Sequence, residues 1–189
     1  MCIRDRYAKA RDIMERALAI DERTYGRDHA DVALTLTNLG NAYYSLGEYA
    51  KQRDILERAL AIDEREHGKD STRVADTLTN LGIAYGKLDD QAKKRDMLER
   101  ALAIKVWAYG HDHVNVAQTL MNLGNAYMGL GDYAKQRDVQ ERALAIQERA
   151  YGSDHAQVAI TLNNLGLAYA ELGDHAKERE MLELSLIHI

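Results

Sequence analysis

One stretch of this chain, Thr35 to Ile62, recurs in near copies before and after itself at a single interval. Asn38, Asn80, Asn122 and Asn164 are each 42 apart (80−38, 122−80, 164−122), as are Gly26, Gly68, Gly110 and Gly152. A sustained period of roughly 20–50 residues dictates a stack of like units, because one unit is too small to bury its own apolar face and closes it against the next.

Within a unit the apolar spacing is helical. Ala33, Leu36, Leu39, Gly40, Tyr43 and Leu46 fall along one stripe of a first helix. Gly47-Glu48 interrupts it, since glycine readily takes the positive φ that ends a helix. A second helix follows, with Ile55, Leu56, Ala59, Leu60 and Ile62 on its inner side. Neither stripe is buried by its own helix, so the pair folds onto itself and onto its neighbours.

Leu36, Leu39, Gly40, Tyr43, Leu46, Gly47, Tyr49 and Ala59 form a pattern that resembles the tetratricopeptide repeat. The loop Gly26-Arg27-Asp28-His29 through Val32-Ala33 and the long second helix resemble the 42-residue variety found in kinesin light chains. The resemblance implies an all-α fold, a right-handed α-solenoid of antiparallel helix pairs. It assigns residues 7–183 to one array: an orphan second helix at 7–25, full repeats at 28–67, 70–109 and 112–151, and a truncated repeat at 154–183. Two departures from the family stand out. Gln52, Lys94, Gln136 and Glu178 occupy a position where the family has a small residue, and only Ala10 conforms. Proline is absent, so the loops rest on Gly and Asp.

Composition narrows the partners. The net charge is −5, and acidic and basic residues alternate along the helices without a basic tract, which argues against nucleic acid. No apolar run approaches the length of a bilayer span, so no membrane association is expected, and the expected compartment is cytoplasmic. Both ends break the period: residues 1–6 read MCIRDR and 184–189 read LSLIHI. The two hexapeptides can be encoded by an inverted DNA repeat resembling the transposon-end adapter of sequencing libraries, so both are expected to be read-through artefacts. Cys2, the single cysteine, then drops out of any disulfide, metal or redox argument. The truncated ends are expected to expose apolar faces and to self-associate end to end.

Asp28, Asp70, Asp112 and Asp154 stand where an N-cap side chain accepts from the next helix, with Asp31 or Gln157 suited to a capping box. His29, His113 and His155 share these loops, but equivalent positions lie about one helix-packing distance, roughly 10 Å, apart, too far to share a metal ion. Asp12/Arg16, Asp54/Arg58, Asp96/Arg100 and Asp138/Arg142 are spaced as i,i+4 ion pairs. Thr35, Thr77, Thr119 and Thr161 form a stripe of small residues that admits the neighbouring unit. Trp107 reads either as a cover for Tyr109 and its loop or as an exposed anchor for a partner.

A further stripe on each first helix varies freely except at asparagine, and the resemblance implies that it lines a concave groove. The expected groove residues are Asn38, Asn41, Tyr44, Asn80, Lys87, Met121, Asn122, Asn125, Met128, Asn163, Asn164 and Leu167. An asparagine offers both donor and acceptor, which suits capture of an extended peptide backbone, while Leu34, Tyr44, Met121, Met128 and Leu167 would supply apolar pockets. Lys87 is the lone cation of this stripe, beside Asp76 and Glu171, so an acidic ligand is not favoured. No metal motif, phosphate-binding loop or nucleophile–base pair appears, so no cofactor, small-molecule substrate or catalysis is expected. Two functions remain open: a protein-interaction scaffold that binds an extended peptide segment, and a sensor or oligomerisation arm of a larger signalling NTPase or enzyme whose catalytic domain lies outside this fragment.

Overall fold

Residues 3–186 are described by a computed structural model; Cys2 and residues 187–189, with the readings attached to them, lie outside the described residues. The described residues form helices α1 (Ile3–Tyr25), α2 (Ala30–Leu46), α3 (Tyr49–His67), α4 (Thr72–Lys87), α5 (Gln91–Tyr109), α6 (Val114–Gly129), α7 (Tyr133–Tyr151), α8 (Ala156–Glu171) and α9 (His175–Leu186). No strand occurs among them, and the class is all-α, built of helix pairs. The chain divides into two compact units, one ending at Ile104 and one beginning at Lys105, so the boundary falls inside α5.

In the first unit α2 pairs with α3, and α1 and α4 pack on either side of that hairpin. Its apolar interior is modular. Val32, Ala33, Leu36, Ala59 and Ile62 form one cluster with Leu18 and Ile55 against it. Val74, Ala75, Leu78, Ala101 and Ile104 form the next, closed by Leu60 and Met97. Leu18 lies one repeat before Leu60 in sequence, so each cluster is sealed by the preceding second helix, as a nearest-neighbour stack requires. In the second unit α6 pairs with α7 and α8 with α9, and α7 also packs on α8.

The close approach within each pair depends on a missing Cβ. A methyl group at Gly40 would sit 3.1 Å from Leu56 Cδ2, and one at Gly82 would sit 3.1 Å from Leu98 Cγ. Gly47, at φ 77°, ends α2 in the left-handed region, and its N–H reaches the carbonyls of Tyr43 and Tyr44.

Three local expectations are corrected. The N-cap is not the aspartate but the residue after it: Nδ1 of His29, His113 and His155 accepts from the amides of Asp31, Asn115 and Gln157 at 3.1–3.2 Å. Ser71 does the same for Val74. The extended backbone at His29 (φ −83°, ψ 152°) is the cap conformation, and Nδ1 stands at the same bond distance from Cβ as an asparagine oxygen. Each capping imidazole also stacks on the tyrosine ending the previous helix, with His29 on Tyr25, His113 on Tyr109 and His155 on Tyr151 at 4.5–5.0 Å.

In place of the expected i,i+4 ion pairs, each of these aspartates pairs with the arginine just before it, and Arg58 and Arg100 reach other helices. Asp54 pairs with adjacent Arg53 at 2.5 Å, and Arg58 instead reaches Glu22 of α1 at 2.5 Å and the carbonyl of Arg27. Arg100 repeats this with Glu64 and the carbonyl of Lys69. In the second unit Val106 stands where Glu22 and Glu64 stand, and Arg142 turns to His111 Nδ1 at 3.0 Å. Trp107 does not cover Tyr109: it is 82% exposed, and Tyr109 is stacked on His113. The bulky Gln52 and Gln136 are nonetheless buried, and Gln136 Nε2 donates to the carbonyl of Asn164 on α8 at 3.2 Å. The long side chain thus ties one repeat to the next.

Candidate functional site

The frame that holds the first helices is stapled by polar side chains. Thr35 Oγ1 donates to Asp21 at 2.6 Å, Thr77 to Asp63 at 2.8 Å and Thr161 to Gln147 at 2.6 Å, each to the preceding second helix. At these three positions the threonine stripe makes inter-repeat hydrogen bonds, a role its small size alone does not reveal, while Thr119 donates to the carbonyl of Asn115 in its own helix. About two helical turns further along each first helix, Tyr43 donates to Glu15 at 2.7 Å, and Tyr85 and Tyr169 donate to Glu57 and Glu141. Burial first, and then the neighbouring carboxylate, push these three phenols up to about 12. A lysine ammonium lies over each ring: Lys51 over Tyr43, Lys93 over Tyr85 and Lys177 over Tyr169, at 4.9–5.5 Å.

These columns have their hydrogen-bonding capacity engaged inside the fold. The asparagine column does not. In the first unit Asn38 is exposed and Asn80 half-buried; in the second, Asn122 and Asn164 are half-buried. Among the described residues, none of these four carboxamides makes a hydrogen bond within the protein. Asn41, Tyr44 and Lys87 are exposed on the first unit, and Asn125 and Met128 are half-buried on the second, with Asn163 and Leu167 exposed there. Asn163 Oδ1 accepts from Ser185 on α9 at 2.9 Å. Met121 departs from its expected place as an open pocket wall. It is 6% exposed, and its sulfur accepts from Gln147 Nε2, because the buried amide beneath it needs a partner.

Two features of the first unit are invisible in the sequence pattern. Lys87 Nζ lies 5.9 Å from the ring centroids of both Tyr44 and Tyr49, whose rings are tilted 5.8 Å apart. Lys94 nearby is lowered from the usual lysine range, chiefly by burial and then by Lys87. At the other end of α4, Leu34 and Thr37 of α2, Asp63 of α3 and Arg73, Asp76 and Thr77 of α4 line a cavity of about 350 Å³. Among the described residues no cluster of three or more His, Cys, Asp or Glu side chains is placed to hold a metal ion, and no helix is long and apolar enough to cross a membrane.

Known proteins share this fold. The tetratricopeptide repeat model matches residues 1–61, 53–106 and 115–186. The chain belongs to the tetratricopeptide-repeat family. No curated protein matches it in sequence. Among solved structures, BtubC (BKLC) from P. vanneervenii is 24% identical with a TM-score of 0.87, over 96% of this chain and 72% of that one. A kinesin-light-chain-type protein of Podosopora anserina with nearly identical TPR-like repeats is 21% identical with a TM-score of 0.84, over 96% and 86%. A Rap protein complexed with competence and sporulation factor is 18% identical with a TM-score of 0.74, over 98% and 49%. As a tetratricopeptide-repeat chain it has the frame of a protein-interaction scaffold.

Proposed function

We propose that the first-helix faces of each unit hold an extended segment of a partner protein, with Asn38 and Asn80 gripping its backbone in the first unit and Asn122 and Asn164 in the second. One observation carries this reading. The threonine and tyrosine columns that repeat down the chain are bonded within the fold, whereas the asparagines repeat with both donor and acceptor left over. A polar side chain retained in every repeat without an internal partner is suited to an external one. Backbone capture supplies affinity without reading sequence; the neighbours that differ between repeats, Tyr44 and Lys87 in the first unit, Met128 and Leu167 in the second, supply selectivity. The Rap structure, which by its description contains a bound factor, lends support by likeness of fold.

Capped extended peptides of Ser and Gly, about nine residues long and bearing single variable side chains, provide the probe. Asn80→Ala and Asn122→Ala each lower peptide affinity, read by fluorescence anisotropy, while circular dichroism and the melting midpoint stay level. Loss of folding with unchanged intrinsic affinity would assign these asparagines to structure instead.

A further inference from the structure

The column that holds Asp63 is completed differently along the chain. Gln147, its counterpart two repeats on, accepts from Thr161 and donates to Met121, so both ends of its amide are engaged. Asp63 is 3% exposed, and its Oδ2 accepts from Thr77 at 2.8 Å. Its other oxygen, Oδ1, is buried and accepts no hydrogen bond. Arg73 Nε and His67 Nδ1 both stop at 3.8 Å from it, beyond hydrogen-bonding distance. A buried carboxylate oxygen without a donor is costly, and it stands here in the wall of the 350 Å³ cavity between α2, α3 and α4.

We propose that this cavity is a specificity pocket for the cationic side chain, guanidinium or ammonium, of the bound protein segment. The proposal rests on the peptide-holding reading and names what one position of that segment must be. Leu34 and Thr37 offer an apolar wall for the methylene stem of lysine or arginine, whose charged head then reaches Asp63. Asp76 adds a second negative charge at the same cavity, against the single Arg73. Arg73, with 44% of its side chain exposed, is the resident counter-ion that the incoming cation displaces. The other three residues of the Asp76 column are Leu34, Gln118 and Ile160, so a second carboxylate belongs to this repeat alone. Charge-assisted hydrogen bonds of this kind discriminate strongly because the unmatched ligand leaves the buried charge unpaired.

The test uses the full chain and two kinds of probe. Methylammonium, methylguanidinium and acetate are titrated while the amide resonances of Asp63, Arg73 and Thr77 are followed by NMR. The Ser/Gly peptides carrying one Arg, Lys, Met or Glu are then compared by anisotropy. Saturable shifts with at least one of the two cations and none with acetate are expected, together with binding of an Arg or Lys peptide about tenfold or more tighter than the Glu peptide. Asp63→Asn keeps an oxygen for Thr77 and so keeps the fold, yet it erases both effects. Peptides that bind without charge preference, with those resonances unmoved by cations, would overturn the pocket and leave the groove reading intact. Cation shifts without any peptide binding would support the pocket and sink the groove. Silence from every probe, or a response to acetate, overturns the pocket outright.

Discussion

Gln140 offers the cleanest test of how the repeats are held. It is 0% exposed, and neither its Oε1 nor its Nε2 has a hydrogen-bond partner. The equivalent residues Leu56 and Leu98 are fully buried leucines, seated on Gly40 and Gly82 as Gln140 is seated on Gly124. Leaving a buried amide unpaired costs about 1–3 kcal/mol by protein mutational data, and leucine removes that cost while filling a similar volume. Gln140→Leu is therefore expected to stabilise the chain by about 2 kcal/mol. For a chain of this length each kcal/mol moves the melting midpoint by about 2–4 °C, so the rise should be about 4–8 °C. Far-ultraviolet circular dichroism, in heat and in urea, reads it. The mirror change, Leu98→Gln, should lower the midpoint by at least as much, since it also forfeits leucine burial. A midpoint that stays or falls in Gln140→Leu would show that the amide is paired in solution, and would refute the reasoning.

The tyrosine staples predict alkaline behaviour. Tyr43, Tyr85 and Tyr169 carry folded pKa values raised from 10.0 to about 12, so their contribution is complete below pH 10 and is lost as pH rises through about 12. Tyrosinate absorbance should show these groups titrating late, and Tyr85→Phe should remove part of that late phase. At the caps, His113→Ala should lower stability by about 1 kcal/mol, whereas His113→Ser, the choice already made at Ser71, should cost little; chemical denaturation separates the two. Arg58→Ala loses a partly exposed pair with Glu22 and is expected to cost no more than about 1 kcal/mol, while Asp54→Ala should be near neutral, the reverse of what their i,i+4 spacing suggests.

The helices, turns and repeat frame were legible because their signals are local. Gly47 ends α2 by its own backbone freedom, and the apolar stripe of Leu36, Leu39 and Tyr43 needs no partner to be recognised. The caps were misread by one residue because Asp28 and His29 are adjacent acceptors, and only the extended backbone at His29 decides between them. Arg58 and Glu22 are 36 residues apart, so their pairing exists only once second helices are stacked. The asparagine column was visible by repetition, and its positions on the first helices followed from spacing. Met121 was not placed correctly, because its burial depends on Gln147 in a column that reads Asp21, Asp63, Lys105, Gln147 and so carries no pattern. The cavity at Asp63 escaped for the same reason: a half-satisfied carboxylate arises from three helices meeting, and no spacing in the chain encodes it.

Breaks in a strict period separate into two physical kinds, and stability distinguishes them. Gln140 wastes both polar atoms against the backbone of α6, where nothing can reach them, so repairing it to the repeat's leucine should strengthen the fold and leave peptide binding unchanged. Asp63 wastes one oxygen against a cavity open to a ligand, so neutralising it should hold or raise the melting midpoint and yet abolish the preference for a cationic side chain. A group that weakens the empty protein and strengthens the occupied one marks a binding position, since strain kept in the free state is relieved by the ligand that fits. If Asp63→Asn instead lowered the midpoint as much as loss of the Thr77 hydrogen bond does in Thr77→Val, Asp63 would belong with the staples, and the cavity beside it would be an imperfection of packing.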